Sequence, residues 1–144
     1  QTFAETPYRV VLGEERAATT WPYRDLLESA GEMGIGSDCP VVDNNPFLEI
    51  YRGITRVHND GEPAGGWNPT QKLTLAEVLR GYTYGGAYLC SREDELGSLE
   101  KGKFADIVVL DRNLFTATPE EIYSGRVDLT IMDGKIVYDR LGDR

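Results

Sequence analysis

The chain has 144 residues, 40% of them hydrophobic and 27% charged, with a formal net charge of -9, enough for one modest domain with a useful core. Such acidity argues against nucleic acid, whose phosphates need a basic footprint, and against docking on an anionic membrane surface; no apolar run reaches the length needed to span a bilayer. Cys39 and Cys90 form no C-x-x-C pair, which removes a disulfide scaffold and a zinc ribbon.

In chain order, residues 1–20 hold little pattern beyond a short apolar patch at Tyr8 to Leu12. Tyr23 to Ala30 has helical composition, with Pro22 at its start and Gly31 just past its end, the expected asymmetry. A short strand is predicted at Met33 to Ser37, which makes helix, glycine, strand the αβ step of an α/β protein. Asn44 or Asn45 can cap a helix with Pro46 at its first position. Phe47, Ile50, Tyr51, Ile54 and Val57 then recur at three- and four-residue spacing, so one face is predicted to be buried. Residues 58–72 are rich in Gly, Pro, Asn and Asp and read as a loop.

Thr74-Leu75-Ala76-Glu77 is a capping box opening a helix to about Cys90. Gly85-Gly86 lies inside it at a cost of roughly 1 kcal/mol each relative to Ala, which implies either close packing or a kink. The rest is β-rich: a buried-type strand within Phe104 to Asp111, a second capping box at Thr118 to Glu121, then alternation at Val127, Leu129 and Ile131 with a hairpin turn at Asp133-Gly134. A boundary is therefore expected near Ser91 to Glu95, between a βα portion (residues 1–92) and a β-rich portion (residues 93–144).

The chemistry centres on Asp38. In βα folds the C-terminal ends of the strands carry the reactive groups, and Asp38 follows the predicted strand directly. Gly34 and Gly36 clear side chains from its surroundings. Such a carboxylate can ligate a metal or take a proton from bound water. The plainer alternative is that Asp38 caps a turn or the next helix. His58 has no H-x-H or H-x-x-x-H partner and reads as a residue at the end of the Pro46 helix. Trp67 and Tyr84 read as packing, Cys39 as incidental, Glu14-Glu15 and Glu120-Glu121 as solvated or helix-start charges, and Lys101-Gly102-Lys103 as a turn with lysines in solvent.

Gly36-Ser37-Asp38-Cys39-Pro40-Val41, followed by a helix from Asn45-Pro46 that carries Ile54-Thr55-Arg56, resembles the last barrel unit of the amidohydrolase superfamily, and most closely its YtcJ-like branch, amidohydrolase family 3. Leu12-Gly13-Glu14-Glu15-Arg16, Tyr23 to Leu27 and Leu73 to Leu79 with Tyr82-Thr83 match the same branch. The most specific stretch is Gly97-Ser98-Leu99-Glu100-Lys101-Gly102-Lys103-Phe104-Ala105-Asp106-Ile107-Val108-Val109-Leu110-Asp111, and Thr130, Asp133-Gly134-Lys135 and Val137-Tyr138 match the closing hairpin.

The resemblance implies an α/β fold: the last βα units of a (β/α)8 TIM-type barrel followed by part of a small β-sandwich. It implies a hydrolase that cleaves amide-like C–N bonds of small molecules with water activated by a divalent metal, expected to be zinc, with Asp38 as both metal ligand and catalytic proton shuttle. A (β/α)8 barrel takes about 250 residues, and the family site needs several histidines where this chain has one. The expectation is therefore the C-terminal part of a cytoplasmic enzyme. Alone it would hold no metal, turn over no substrate, and self-associate or pair with the missing barrel segments. The competing expectation is a non-catalytic binding or regulatory module derived from a hydrolase.

Overall fold

The structure, a computed structural model, describes residues 8–142. Helix α1 (Tyr8–Ala17) is broken at Gly13, whose φ of 75° lies outside the helical region. In the apolar patch there Val10 and Val11 are exposed, while Ala17 farther along is fully buried. Helix α2 (Tyr23–Ala30) has the predicted extent. Gly31 ends it in the left-handed conformation and donates its N–H to the Leu27 carbonyl, the termination that glycine makes cheapest.

Helix α3 (Pro46–Thr55) is capped by Asn45, whose side chain accepts from the Phe47 N–H at 3.1 Å. Phe47, Ile50 and Gly53 are its buried positions. Arg56 ends it in the left-handed conformation, so Val57 and His58 lie in the loop beyond the helix. There the His58 N–H donates to the Glu62 carbonyl, and the expected place at the helix end is corrected by that early stop. A short 3-10 turn (Pro69–Gln71) leads to helix α4 (Leu75–Arg80), opened by the complete Thr74–Glu77 capping box. The helix continues through a π-helical turn at Gly81–Gly85 into α5 (Gly86–Leu89).

Strands β1 (Ile107–Leu110), β2 (Val127–Met132) and β3 (Lys135–Asp139) form one antiparallel sheet in that order, with short helix α6 (Pro119–Tyr123) between the first two. Ile107 pairs with Ile131, and Met132 with Lys135 across the turn. Asp133 and Gly134 take φ of 49° and 73°, as a tight two-residue hairpin turn requires. Lys103 is not in solvent as predicted. Its side chain is 12% exposed, and its ammonium donates to Ser98 Oγ at 2.7 Å and to the carbonyls of Glu93 and Leu96, tying the loop before β1 together.

Phe47, Ile50, Leu73, Val78, Leu114 and Ile122 form one core cluster between α3, α4 and α6. Tyr51 and Tyr123 meet edge to face at 5.3 Å. A Cβ on Gly53 would come within 2.8 Å of Val78 Cγ2, so the α3–α4 contact needs glycine.

Met33 to Ser37 is not a strand and has no regular secondary structure. A strand is defined by its neighbours' hydrogen bonds, and among the described residues this segment lies against helix. The Ile35 N–H donates to the Gly81 carbonyl at 3.1 Å. All described strand pairs are antiparallel, so the parallel pairing of a barrel is not formed among the described residues. No described helix is long and apolar enough to cross a membrane.

Candidate functional site

A groove of about 440 Å³ opens between the Met33–Asp38 segment, α3 and the residues around Trp21 and Trp67. Asp38 stands on its edge, exposed, with φ of 52°. Aspartate tolerates this left-handed geometry better than most residues. Its backbone carbonyl accepts from the Val41 N–H at 2.8 Å, closing a turn. No hydrogen bond or ion pair to its carboxylate is formed among the described residues. The helix-capping role belongs to Asn45, so the Asp38 side chain is left to face the groove.

Two arginines, Arg52 and Arg56, line the same groove. Arg56 is 8% exposed. Its Nε donates to the Trp67 carbonyl at 2.9 Å and its Nη2 to the Trp21 carbonyl at 3.2 Å, while the guanidinium sits 4.8 Å from the Tyr23 ring centre. Burial lowers the Arg56 pKa and raises that of Tyr23, with the Arg56 charge opposing the Tyr23 shift. Nearby, Arg52 pairs with Glu49 at 2.7 Å. The Tyr82 hydroxyl is buried without a hydrogen-bond partner among the described residues; burial, then the charges of Glu49 and Tyr23, pushes its pKa up to about 12.

His58 lines the same groove. The described residues nevertheless contain no group of three or more His, Cys, Asp or Glu side chains able to hold a metal ion. Asp38 offers one oxygen ligand, and a catalytic metal usually takes three protein ligands, so these residues alone do not fit one. Trp67 also lines the groove, and its indole N–H donates to Thr20 Oγ1 at 3.1 Å. Tyr84 is elsewhere, stacked on Tyr88, with the Arg80 guanidinium 4.2 Å from its ring centre. Arg56 and Tyr23 are the site residues that the sequence pattern did not single out for a role. An arginine at a helix end is ordinary, and its burial depends on two tryptophan carbonyls distant in sequence.

The described residues combine helices with an antiparallel sheet, and Asp38 and Glu49 both line the groove. The chain belongs to the amidohydrolase family, whose profile matches residues 4–138. It is 26% identical over 129 residues to the putative amidohydrolase YtcJ of Bacillus subtilis, covering 90% of this chain and 24% of that protein. It is 31% identical over 122 residues to an N-substituted formamide deformylase of Arthrobacter pascens, covering 85% of this chain and 22% of that one. Among solved structures, an amidohydrolase from Thermotoga maritima matches with a TM-score of 0.59 at 21% identity, over 82% of this chain and 26% of the other. The chain thus spans about a quarter of the length of the relatives it matches.

Proposed function

We infer that the chain serves as the C-terminal portion of a metal-dependent amidohydrolase that hydrolyses amide-like C–N bonds of small molecules, with Asp38 as its reacting carboxylate. The observation that carries this is the Asp38 side chain itself. It lines the groove with no hydrogen-bond or ion-pair partner among the described residues, while Asn45 caps the following helix. In the step assigned to it, Asp38 takes a proton from the attacking water as the water oxygen bonds to the carbonyl carbon. It then returns that proton to the leaving nitrogen as the C–N bond breaks, giving a carboxylic acid and an amine.

A divalent metal beside Asp38, zinc by family resemblance, would need its other ligands from outside the described residues. On this reading residues 1–92 are the last βα units of a (β/α)8 barrel and residues 93–144 belong to a β-sandwich, in keeping with β1 to β3 all lying after residue 93. The exposed edges of the sheet, with Ile136 and Val137 in solvent, favour pairing with other barrel and sandwich segments or with a second copy. A cytoplasmic location completes the reading, and the formal charge of -9 agrees with a small-molecule partner rather than nucleic acid.

The test is turnover of a panel of N-substituted formamides and simple amides by the full-length gene product, read as amine release. Asp38→Asn is expected to lower kcat by about 100-fold or more, the scale of a positioned acid or base. Undiminished turnover in that variant would overturn the assignment.

A further inference from the structure

The segment that carries Asp38 rests directly on helix backbone, and glycine is what allows it. A Cβ on Gly85 would collide with the Met33 carbonyl oxygen and come within 2.9 Å of its carbon and 3.3 Å of Gly34 Cα. These are backbone atoms with no rotamer to yield. A Cβ on Gly81 would meet the Ile35 side chain at 2.7 Å and the Met33 oxygen at 3.2 Å. From the other side, a Cβ on Gly34 would strike the Leu89 side chain and lie 3.2 Å from the Gly85 carbonyl oxygen. Gly86 is different: its nearest neighbour would be the Gly81 oxygen at 3.9 Å.

The seam is closed by the Ile35 N–H, which donates to the Gly81 carbonyl at 3.1 Å. That acceptor opens the π-helical turn at Gly81–Gly85, a distortion found often at functional sites. Ile35 precedes Asp38 by three residues, and Gly34, Ile35 and Asp38 all border the same groove.

We propose that Gly81 and Gly85 are positioning residues for Asp38, holding Met33 to Ser37 against the π-turn and thereby fixing where the carboxylate meets the groove. This rests on the reading of Asp38 as the reacting group. A side chain at Gly85 displaces the segment by roughly 1 Å, and a misplacement of that size can cost about 100-fold in rate even when its cause lies away from the chemistry.

The experiment compares Gly85→Ala, Gly81→Ala, Gly86→Ala and Asp38→Asn in the full-length gene product by peptide-resolved hydrogen exchange, and by kcat and KM for an N-substituted formamide. In Gly85→Ala, exchange over residues 33–39 is expected to rise about tenfold while the rest of the chain holds, a local opening rather than a global one. Its kcat should fall about 10- to 100-fold with KM within about twofold. Gly86→Ala should match the unmodified protein in both readouts. Unchanged exchange over residues 33–39, or a uniform rise along the whole chain, would overturn the proposal. If Gly85→Ala does not fold, Gly81→Ala decides on the same readouts, since its nearest obstacle is the Ile35 side chain rather than backbone. Unchanged kcat in the glycine variants beside an inactive Asp38→Asn would overturn the positioning role alone. Full turnover by Asp38→Asn would overturn the catalytic reading instead.

Discussion

Arg24 of α2 closes two hydrogen bonds on the Glu77 carboxylate of α4, at 2.6 and 2.7 Å, and so joins two helices 53 residues apart in sequence. The same carboxylate accepts from the Thr74 N–H at 2.7 Å and from the Thr74 hydroxyl at 2.8 Å. One glutamate thus completes a local cap and a tertiary ion pair together.

This predicts a pH dependence. Arg24 first, then the Thr74 bonds, hold Glu77 down at about 2 against burial, from an ordinary value of 4.5. A depressed carboxylate contributes its stability above the unfolded pKa and loses it as pH falls through the folded one. The contribution is therefore full above pH 4.5 and gone below pH 2. Glu77→Gln should cost about 1–2 kcal/mol at pH 7, allowing for solvent screening of a partly exposed pair. Urea unfolding of both forms at pH 7 and near pH 2 should show the gap closing.

Arg56 predicts a spectroscopic effect. The chain has two tryptophans, and the Arg56 guanidinium bonds the backbone carbonyl of each. A lysine cannot span both acceptors with its compact head, and a lost hydrogen bond from a charged group costs about 1.5–3 kcal/mol. Arg56→Lys should lower the thermal midpoint and shift tryptophan emission in the folded state. An unaltered spectrum would show that the two loops are held without it.

The core predicts coupling between the helical and β-rich portions. Ile122 of α6 is 2% exposed and belongs to the cluster containing Phe47 and Ile50 of α3. Truncation to Ala leaves a cavity that should cost about 2–5 kcal/mol. Tryptophan fluorescence reports the groove side of the molecule, so Ile122→Ala should move that transition too. A transition that stays in place would mean that the two portions unfold separately.

Metal content provides a further check on the proposed role. The 144-residue chain expressed alone is expected to retain less than one equivalent of zinc by elemental analysis after dialysis. A tight, stoichiometric ion would mean that a ligand set exists within the chain itself.

Sequence patterning marks the features whose causes are local. The capping boxes at Thr74 and Thr118, the Asn45-Pro46 helix start, the Gly31 stop and the Asp133-Gly134 turn all formed where expected, because each is settled by atoms within a few residues. The family resemblance was legible for a related reason, being carried by contiguous stretches such as Gly97 to Asp111. The tertiary structure decided what depends on distant partners. Gly85 proved to be a close contact because Met33 lies on it, whereas its neighbour Gly86 has open space. Lys103 turned inward because three oxygens from one loop converge on its ammonium. Met33 to Ser37 has the composition of a strand, but strand pairing requires a second strand beside it, and among the described residues it meets a helix instead. Asp38 could be picked out from sequence as a carboxylate, with capping left open. Only the folded chain gives the helix cap to Asn45 and sets Asp38 among the residues lining a groove, because both depend on how distant segments pack.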